Sequence, residues 1–424
     1  MDELFLQYIW KYQKFRAGEL QLTNGTPVEV LSTGEQNYDS GPDFFNIRIR
    51  INGTIWAGNA EVHFRSSDWR KHGHHLDHAF DNVILHLVQI NDEDTKTAHG
   101  QILPVAVLAY DDSLYKQYKQ MIETRKFIPC HGKLSCVSNL IRRHWLDRLT
   151  VERLEKRAAQ FEIRFQKNQN CWDETFYQFT ARAFGCNINA GPFELLAGSI
   201  PIKYFSKQHD SRLQIEAMLF GQAGLLVNHT NPDNYQRALL NEYTFLRNKY
   251  KLTPIPGHLW KNLRLRPANF PAVRIAQFAS LIYNCRNLFS EVLECHTMDD
   301  IYSLLAVTAS EYWDTHYGFG KPSHRIIKKL SHTTIDLITI NTIAPFMFYY
   351  GNKRNIQKYK NLALWLLEHI KPEKNSIITR WKSAGTNPAN AAESQALLHL
   401  TSEYCKSRRC LTCEFGCLVL NSSY

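Results

Sequence analysis

The chain has 424 residues, 44% of them hydrophobic and 21% charged, with 50 Lys+Arg against 40 Asp+Glu. This is the composition of a soluble globular protein with room for two or three domains. No apolar run approaches the ~20 residues needed to span a bilayer, and the opening MDELFLQYIWKYQ has acids where a secretory leader needs positive charge, so a cytoplasmic location is expected.

An amphipathic helix is expected near residues 2–15, ended by Gly18, Asn24-Gly25 and Pro27. A strand follows near 28–31. Asp43 then comes after Gly41-Pro42 and opens an apolar alternation of Phe45, Ile47, Ile49 and Ile51. Asn52-Gly53 separates this run from a second one, TIWAGNAEVHF, and Asn-Gly between alternating runs signals a hairpin. On the return strand a period of two puts Asn59, Glu61, His63 and Arg65 on one face and Ala60, Val62 and Phe64 on the other. The polar segment 66–79 begins with the helix-start pair Ser67-Asp68. Asp81-Asn82 then turns into the buried-strand run VILHLV, and ILPVAVLA at 102–109 reads as one more strand. The order is α-β-β-β-α-β.

Residues 111–138, with Pro129, Cys130, Gly132 and Cys136, form a connection. From Asn139 the pattern is helical. Leu146, Leu149, Leu154, Ala158, Phe161 and Phe165 make one stripe, and Arg142, Arg143, Arg148, Arg153, Lys156, Arg157 and Arg164 fill the remainder. Such a helix either lies along phosphates or packs its apolar side in a core. WKNLRLRPANFPAVR is a Pro-fixed loop that carries Lys261, Arg264, Arg266 and Arg274, suited to clamping phosphates or pairing with acids such as Glu216 or Glu242. Residues 1–110 hold 9 Lys+Arg and 14 Asp+Glu, and the remainder holds 41 and 26. An acidic module beside a strongly basic one suits a metal site next to a surface for a polyanion. The expected class is α+β: a small mixed sheet flanked by helices at 1–110, a connection at 111–138, a basic helical domain at 139–400 and a cysteine tail at 401–424.

Three constellations carry chemistry. Asp43 and Glu61, on neighbouring strands, can hold Mg²⁺ or Mn²⁺, with His63 one pleat along as base or phosphate contact. The segment WRKHGHHLDHAF offers His72, His74, His75, Asp77 and His78. His72 and His74 do not face each other on a regular helix, whereas His74 and His78 do. Metal ligation, substrate contact and plain surface all remain open there. Cys405, Cys410, Cys413 and Cys417 give C-x₄-C-x₂-C-x₃-C, a set able to wrap Zn²⁺ or an iron–sulfur cluster, with free thiols as the alternative. Cys130 or Cys136 can lend a further ligand. No GxxxxGK[ST], GxGxxG after a strand, GxSxG or HExxH occurs, so ATPase and dinucleotide chemistry are not indicated.

The element order, with Pro42-Asp43 and Glu61-Val62-His63, resembles the core of the PD-(D/E)XK nuclease superfamily. The resemblance implies that Asp43 and Glu61 bind a divalent metal. It also implies a Lys two residues after the Glu, where this chain has His63; Lys71 is the candidate replacement. SGPDFFN, WAGNAEVH, SSDW, DNVILH and RPANFP, spread over most of the chain, resemble the uncharacterised bacterial family called domain of unknown function 2851, which implies no settled activity. The expectation is a metal-dependent nucleic-acid phosphodiesterase. Asn59 and Arg65 would orient the substrate, and Arg142, Arg143, Arg264 and Arg266 would hold the polyanion. The rival is a non-catalytic nucleic-acid-binding or scaffold protein on a degenerate nuclease fold.

Overall fold

The computed structural model describes residues 3–16, 18–37, 39–226 and 232–422. The chain divides into a sheet unit, residues 1–142 with 400–424, and a helical unit, residues 143–399.

The sheet unit opens with helix α1, Glu3–Lys11, whose Phe5, Leu6, Tyr8, Ile9 and Trp10 are buried. Asp2, where the sequence pattern starts, lies outside the described residues. Six strands follow: β1 (Val28–Ser32), β2 (Glu35–Gln36), β3 (Phe44–Ile51), β4 (Thr54–Arg65), β5 (Val83–Ile90) and β6 (Val105–Val107). Their order is β1-β3-β4-β5-β6, with β2 also on β3. β1, β3 and β4 run antiparallel, while β4, β5 and β6 run parallel. Antiparallel neighbours need only a tight turn, here Asn52 and Gly53 at φ +48° and +79°. Parallel neighbours need a crossover, and residues 66–82 supply it between β4 and β5. That crossover holds a one-turn helix, α2 (Asp68–Lys71), and two 3₁₀ turns at His74–Leu76 and His78–Phe80.

β3 departs from simple alternation. A bulge between Phe44 and Ile47, with Asn46 at φ +58°, buries Phe44 together with Ile47 and Ile49. Phe45 is thereby moved off the core face, because a bulge adds one residue to the strand and shifts the side-chain phase. After β6, helix α3 (Asp112–Glu123) and a 3₁₀ turn at Leu134–Cys136 pack against the final helix, Glu414–Asn421. Tyr8 Oη donates to Asn421 Oδ1 at 2.7 Å, and Arg408 donates to the carbonyls of Thr124 and Lys126. Segment 111–142 and the cysteine tail therefore belong to the same unit as the sheet.

Helix α4, Asn139–Lys167, leads into the helical unit. From Trp145 onward its stripe of Leu146, Leu149, Leu154, Phe161 and Phe165 is buried, as its spacing predicts. One apolar core runs from Leu154 to Ala392 and gathers Phe176, Phe193, Phe278 and Phe346. In the Pro-rich loop Pro267 opens a 3₁₀ turn and Pro271 starts the helix Pro271–Asn284, the first-turn position that proline tolerates. The fold class is α+β, a mixed sheet followed by a large helical region. Among the described residues no helix is long and apolar enough to cross a membrane.

Candidate metal centre

The antiparallel register sets Phe44 opposite Ala60, which brings Asp43 beside Glu61. The two residues clamp each other. The Asp43 N–H donates to Glu61 Oε2 at 3.0 Å, and the Val62 N–H donates to Asp43 Oδ2 at 3.1 Å. The other Glu61 oxygen, Oε1, lies 3.6 Å from His63 Nε2 and 3.4 Å from His74 Nε2. His63 Nε2 also lies 3.1 Å from His72 Nδ1, and His63 Nδ1 lies 2.9 Å from His86 Nε2. The parallel register of β4 and β5 places His86 directly beside Glu61. The ligand atoms of His63, His72 and His74 all fall within 4.8 Å of one another. Glu61, His63 and His86 are buried, while His72 is exposed and marks the open side.

The histidine segment reaches this point because it is not a regular helix. α2 stops at Lys71, and Gly73 takes a left-handed φ of +80° before the next 3₁₀ turn. His72 and His74, which would diverge on a helix, both turn toward the His63 ring. Trp69 and Phe80 wall the pocket, with the Phe80 ring 3.8 Å from that of His74. His78 joins Asp81 and His99 in a separate, mostly exposed trio instead.

Burial first, and the Glu61 charge second, push the Asp43 carboxyl up to about 7. Burial and then the neighbouring imidazoles of His86, His74 and His72 push His63 down to about 2. Burial lowers His86 to about 3. Burial and the crowding of imidazoles thus favour the neutral form of the His63 ring, which has a lone pair to share. Sequence reasoning missed His86 and Glu3. Glu3, on α1, is raised by burial and feels His72 and Glu61. For His86 the signal was present: alternation in VILHLV puts a polar ring in a buried strand.

The remaining sequence candidates lie elsewhere. Lys71 Nζ is held at 2.7 Å by Asp68 and is 61% exposed. Arg65 pairs with Asp92. Asn59 Oδ1 accepts the Asn46 N–H of the bulge at 3.3 Å, and a register shift between Asn59 and Ala60 takes Asn59 out of line with Glu61. Arg142 donates to the carbonyls of Leu134 and Val137. Arg143, Arg264 and Arg266 are exposed on the helical unit, and Arg274 is buried against Asn269, Gln277 and Thr334. Glu216 pairs with Arg212, not with this loop.

Cys405, Cys410, Cys413 and Cys417 are buried, as is Cys130. Burial raises each of Cys130 and Cys405, and both feel the Cys413 and Cys410 thiols as well. Cys417 Sγ donates to Leu411 O at 3.0 Å.

No curated protein and no solved structure matches this chain. One family does: its model covers residues 3–376, a span that includes every residue of the Asp43–His86 cluster. The chain belongs to the family described as "Protein of unknown function (DUF2851)".

Proposed function

We propose that this protein is a metal-dependent hydrolase of nucleic-acid phosphodiesters. One observation carries the reading. Two clamped carboxylates, Asp43 and Glu61, meet the imidazoles of His63, His72 and His74. Among the described residues no Lys or Arg is bonded to either carboxylate. Buried carboxylates without a counter-charge are costly, and a divalent cation supplies that charge. The α-β-β-β-α-β order and the Asp–Glu hairpin support the nuclease likeness, and the positive excess beyond residue 110 supports a polyanionic substrate.

The donor set fits Mn²⁺ or a zinc-like ion better than Mg²⁺, which prefers oxygen ligands throughout. Glu61, His63, His72 and His74 would hold the ion, with Asp43 adjacent. A bound divalent ion lowers the pKa of water and offsets charge on the scissile phosphate. The chain's own residues prepare the site. With its proton on Nδ1, donated to His86 Nε2, His63 would leave Nε2 free to ligate. Glu61 Oε2 and Asp43 Oδ2 are pinned by backbone N–H groups, so neither carboxylate must reorganise to bind. His72 stands at the open side, where an incoming substrate would reach the ion.

The deciding experiment is a cleavage screen on single- and double-stranded DNA and RNA with Mg²⁺, Mn²⁺ and Zn²⁺, wild type beside Glu61→Gln. Cleavage by wild type and a drop of about 10²-fold or more in the variant is expected, on the scale of deleting a catalytic electrostatic group. Equal activity in both proteins would end the proposal. Among the described residues no ammonium is bonded to either carboxylate, and Lys71 is held by Asp68, which favours a second reading: a protein that binds nucleic acid without cutting it. Salt-sensitive binding with no cleavage under any metal selects that reading. A structural zinc or iron–sulfur centre at the cysteine cluster is proposed for the sheet unit, where it would tie the returning tail to segment 124–136.

A further inference from the structure

The helical unit contains a cavity of about 600 Å³, lined among others by Arg153, Arg157, Arg182, Asn341, Glu373 and Gln395. This is within the size range of small-ligand pockets. Arg153 and Arg157 stand four apart on α4 and so share a face. Arg153 Nη2 donates to Asn341 Oδ1 at 3.2 Å. Arg157 Nη2 donates to Asn341 O at 2.8 Å, and its Nη1 donates to Gln160 Oε1 at 2.7 Å. Two buried donors are left over, Arg153 Nη1 and Arg157 Nε, which have no acceptor among the described residues.

The local charge is unbalanced in the same direction. Arg182 is paired with Glu194. Among the described residues Glu373 is the one carboxylate lining the cavity; it lies close enough to Arg153 for the two charges to attract but forms no ion pair with it, and its Oε2 already accepts the Gln395 amide, so one carboxylate stands against the two guanidinium groups of Arg153 and Arg157. Burial draws both Arg153 and Arg157 below the ordinary guanidinium range, and for Arg153 the nearby Arg157 adds to it. Two adjacent guanidinium groups with spare buried N–H donors form a site for a tetrahedral or planar oxyanion, which accepts from such forks. The cavity is several times larger than one phosphate group, and Phe179 and Leu337 supply apolar wall.

We infer that this cavity binds a small phosphate monoester, about the size of a mononucleotide, through Arg153 and Arg157. The site lies wholly within the helical unit and does not rest on the hydrolase reading.

The test is calorimetric titration of the full chain with adenosine 5′-monophosphate, inorganic phosphate and adenosine, at constant ionic strength. The monophosphate and phosphate should bind and raise the melting temperature, and adenosine should not. Arg157→Gln should weaken the monophosphate at least tenfold, while Arg237→Gln, at an exposed arginine outside the cavity, leaves it unchanged. If Arg157→Gln does not fold, Arg157→Lys keeps the charge without the fork and should still weaken binding severalfold. Failure of wild type to bind either phosphate compound at millimolar concentration overturns the inference. So does affinity that is unchanged in the Arg157 variants.

Discussion

Glu61 spends one oxygen on the Asp43 N–H and turns the other toward two imidazoles. Glu61→Gln keeps an acceptor for that N–H and removes the charge. Divalent-ion affinity should fall at least tenfold while the denaturant midpoint moves little; isothermal titration with Mn²⁺ and a urea melt measure the two separately. Asp92 is a second residue whose role is legible in its partners. It accepts from the Ser67 N–H and from the hydroxyls of Ser66 and Ser67. The Ser67 N–H foremost, then these hydroxyls and Arg65, hold its carboxyl down to about 2. Because the folded value lies below the unfolded one, the stabilisation is present above pH ~4 and is lost as pH falls toward 2. Asp92→Asn should therefore be less stable than wild type near pH ~6, and the two urea midpoints should converge near pH ~2.

At the scale of elements, the crossover between β4 and β5 decides whether two histidines can meet. Gly73 sits at φ +80°, and an added Cβ would touch nothing within 4 Å. Gly73→Ala thus costs only the left-handed backbone penalty, about 1 kcal/mol. Its expected effect is a severalfold drop in Mn²⁺ affinity through His72 and His74, with global stability nearly intact. The same combination of titration and urea melt reads it. The cysteine tail obeys the same logic of close backbone approach. Gly416 packs so closely on the Cys410 carbonyl that a Cβ would lie 2.2 Å from the oxygen, which presses the Cys410–Cys413 turn onto the last helix. The Cys130 thiol, on another segment, feels the charge of Cys413 and Cys410, whereas Cys417 is engaged with Leu411 O and Tyr12. Cys130→Ser should accordingly retain less bound metal than Cys417→Ser. Elemental analysis and a visible spectrum after anaerobic purification give both the amount and the choice between zinc and iron–sulfur.

At the scale of the whole molecule, the basic excess lies in the part of the chain beyond the acidic N-terminal module. Its arginines serve unequal purposes. Arg142 and Arg274 are committed to internal carbonyls and side chains, while Arg264, in a turn at φ +64°, and Arg266 are exposed. Replacing Arg264 and Arg266 together by Gln should weaken nucleic-acid binding and reduce its salt slope by up to about 2, since each phosphate that an arginine neutralises contributes about 1. Fluorescence anisotropy over a range of salt concentrations checks this. An unchanged slope would assign both arginines to ordinary surface.

The sequence by itself determined the hairpin, the buried stripe of α4 and the α+β class, because these depend on local periodicity and on Asn-Gly turn chemistry. It also singled out Asp43, Glu61 and His63, since Pro-Asp and Glu-x-His stand at strand positions where charge is out of place. Only the tertiary structure decided what surrounds them. His86 joins through the parallel pairing of β5 with β4, and no short-range pattern specifies which strand lies alongside. His72 and His74 converge through one left-handed glycine, whose φ is invisible to a helical-wheel argument. Lys71 and Arg65 are paired with Asp68 and Asp92, a choice between partners that only the folded geometry shows. The Arg153–Arg157 cavity was hidden for the same reason. On the sequence its arginines look like the solvated side of an amphipathic helix, and it takes Asn341, Glu373 and Gln395, distant in the chain, to enclose them.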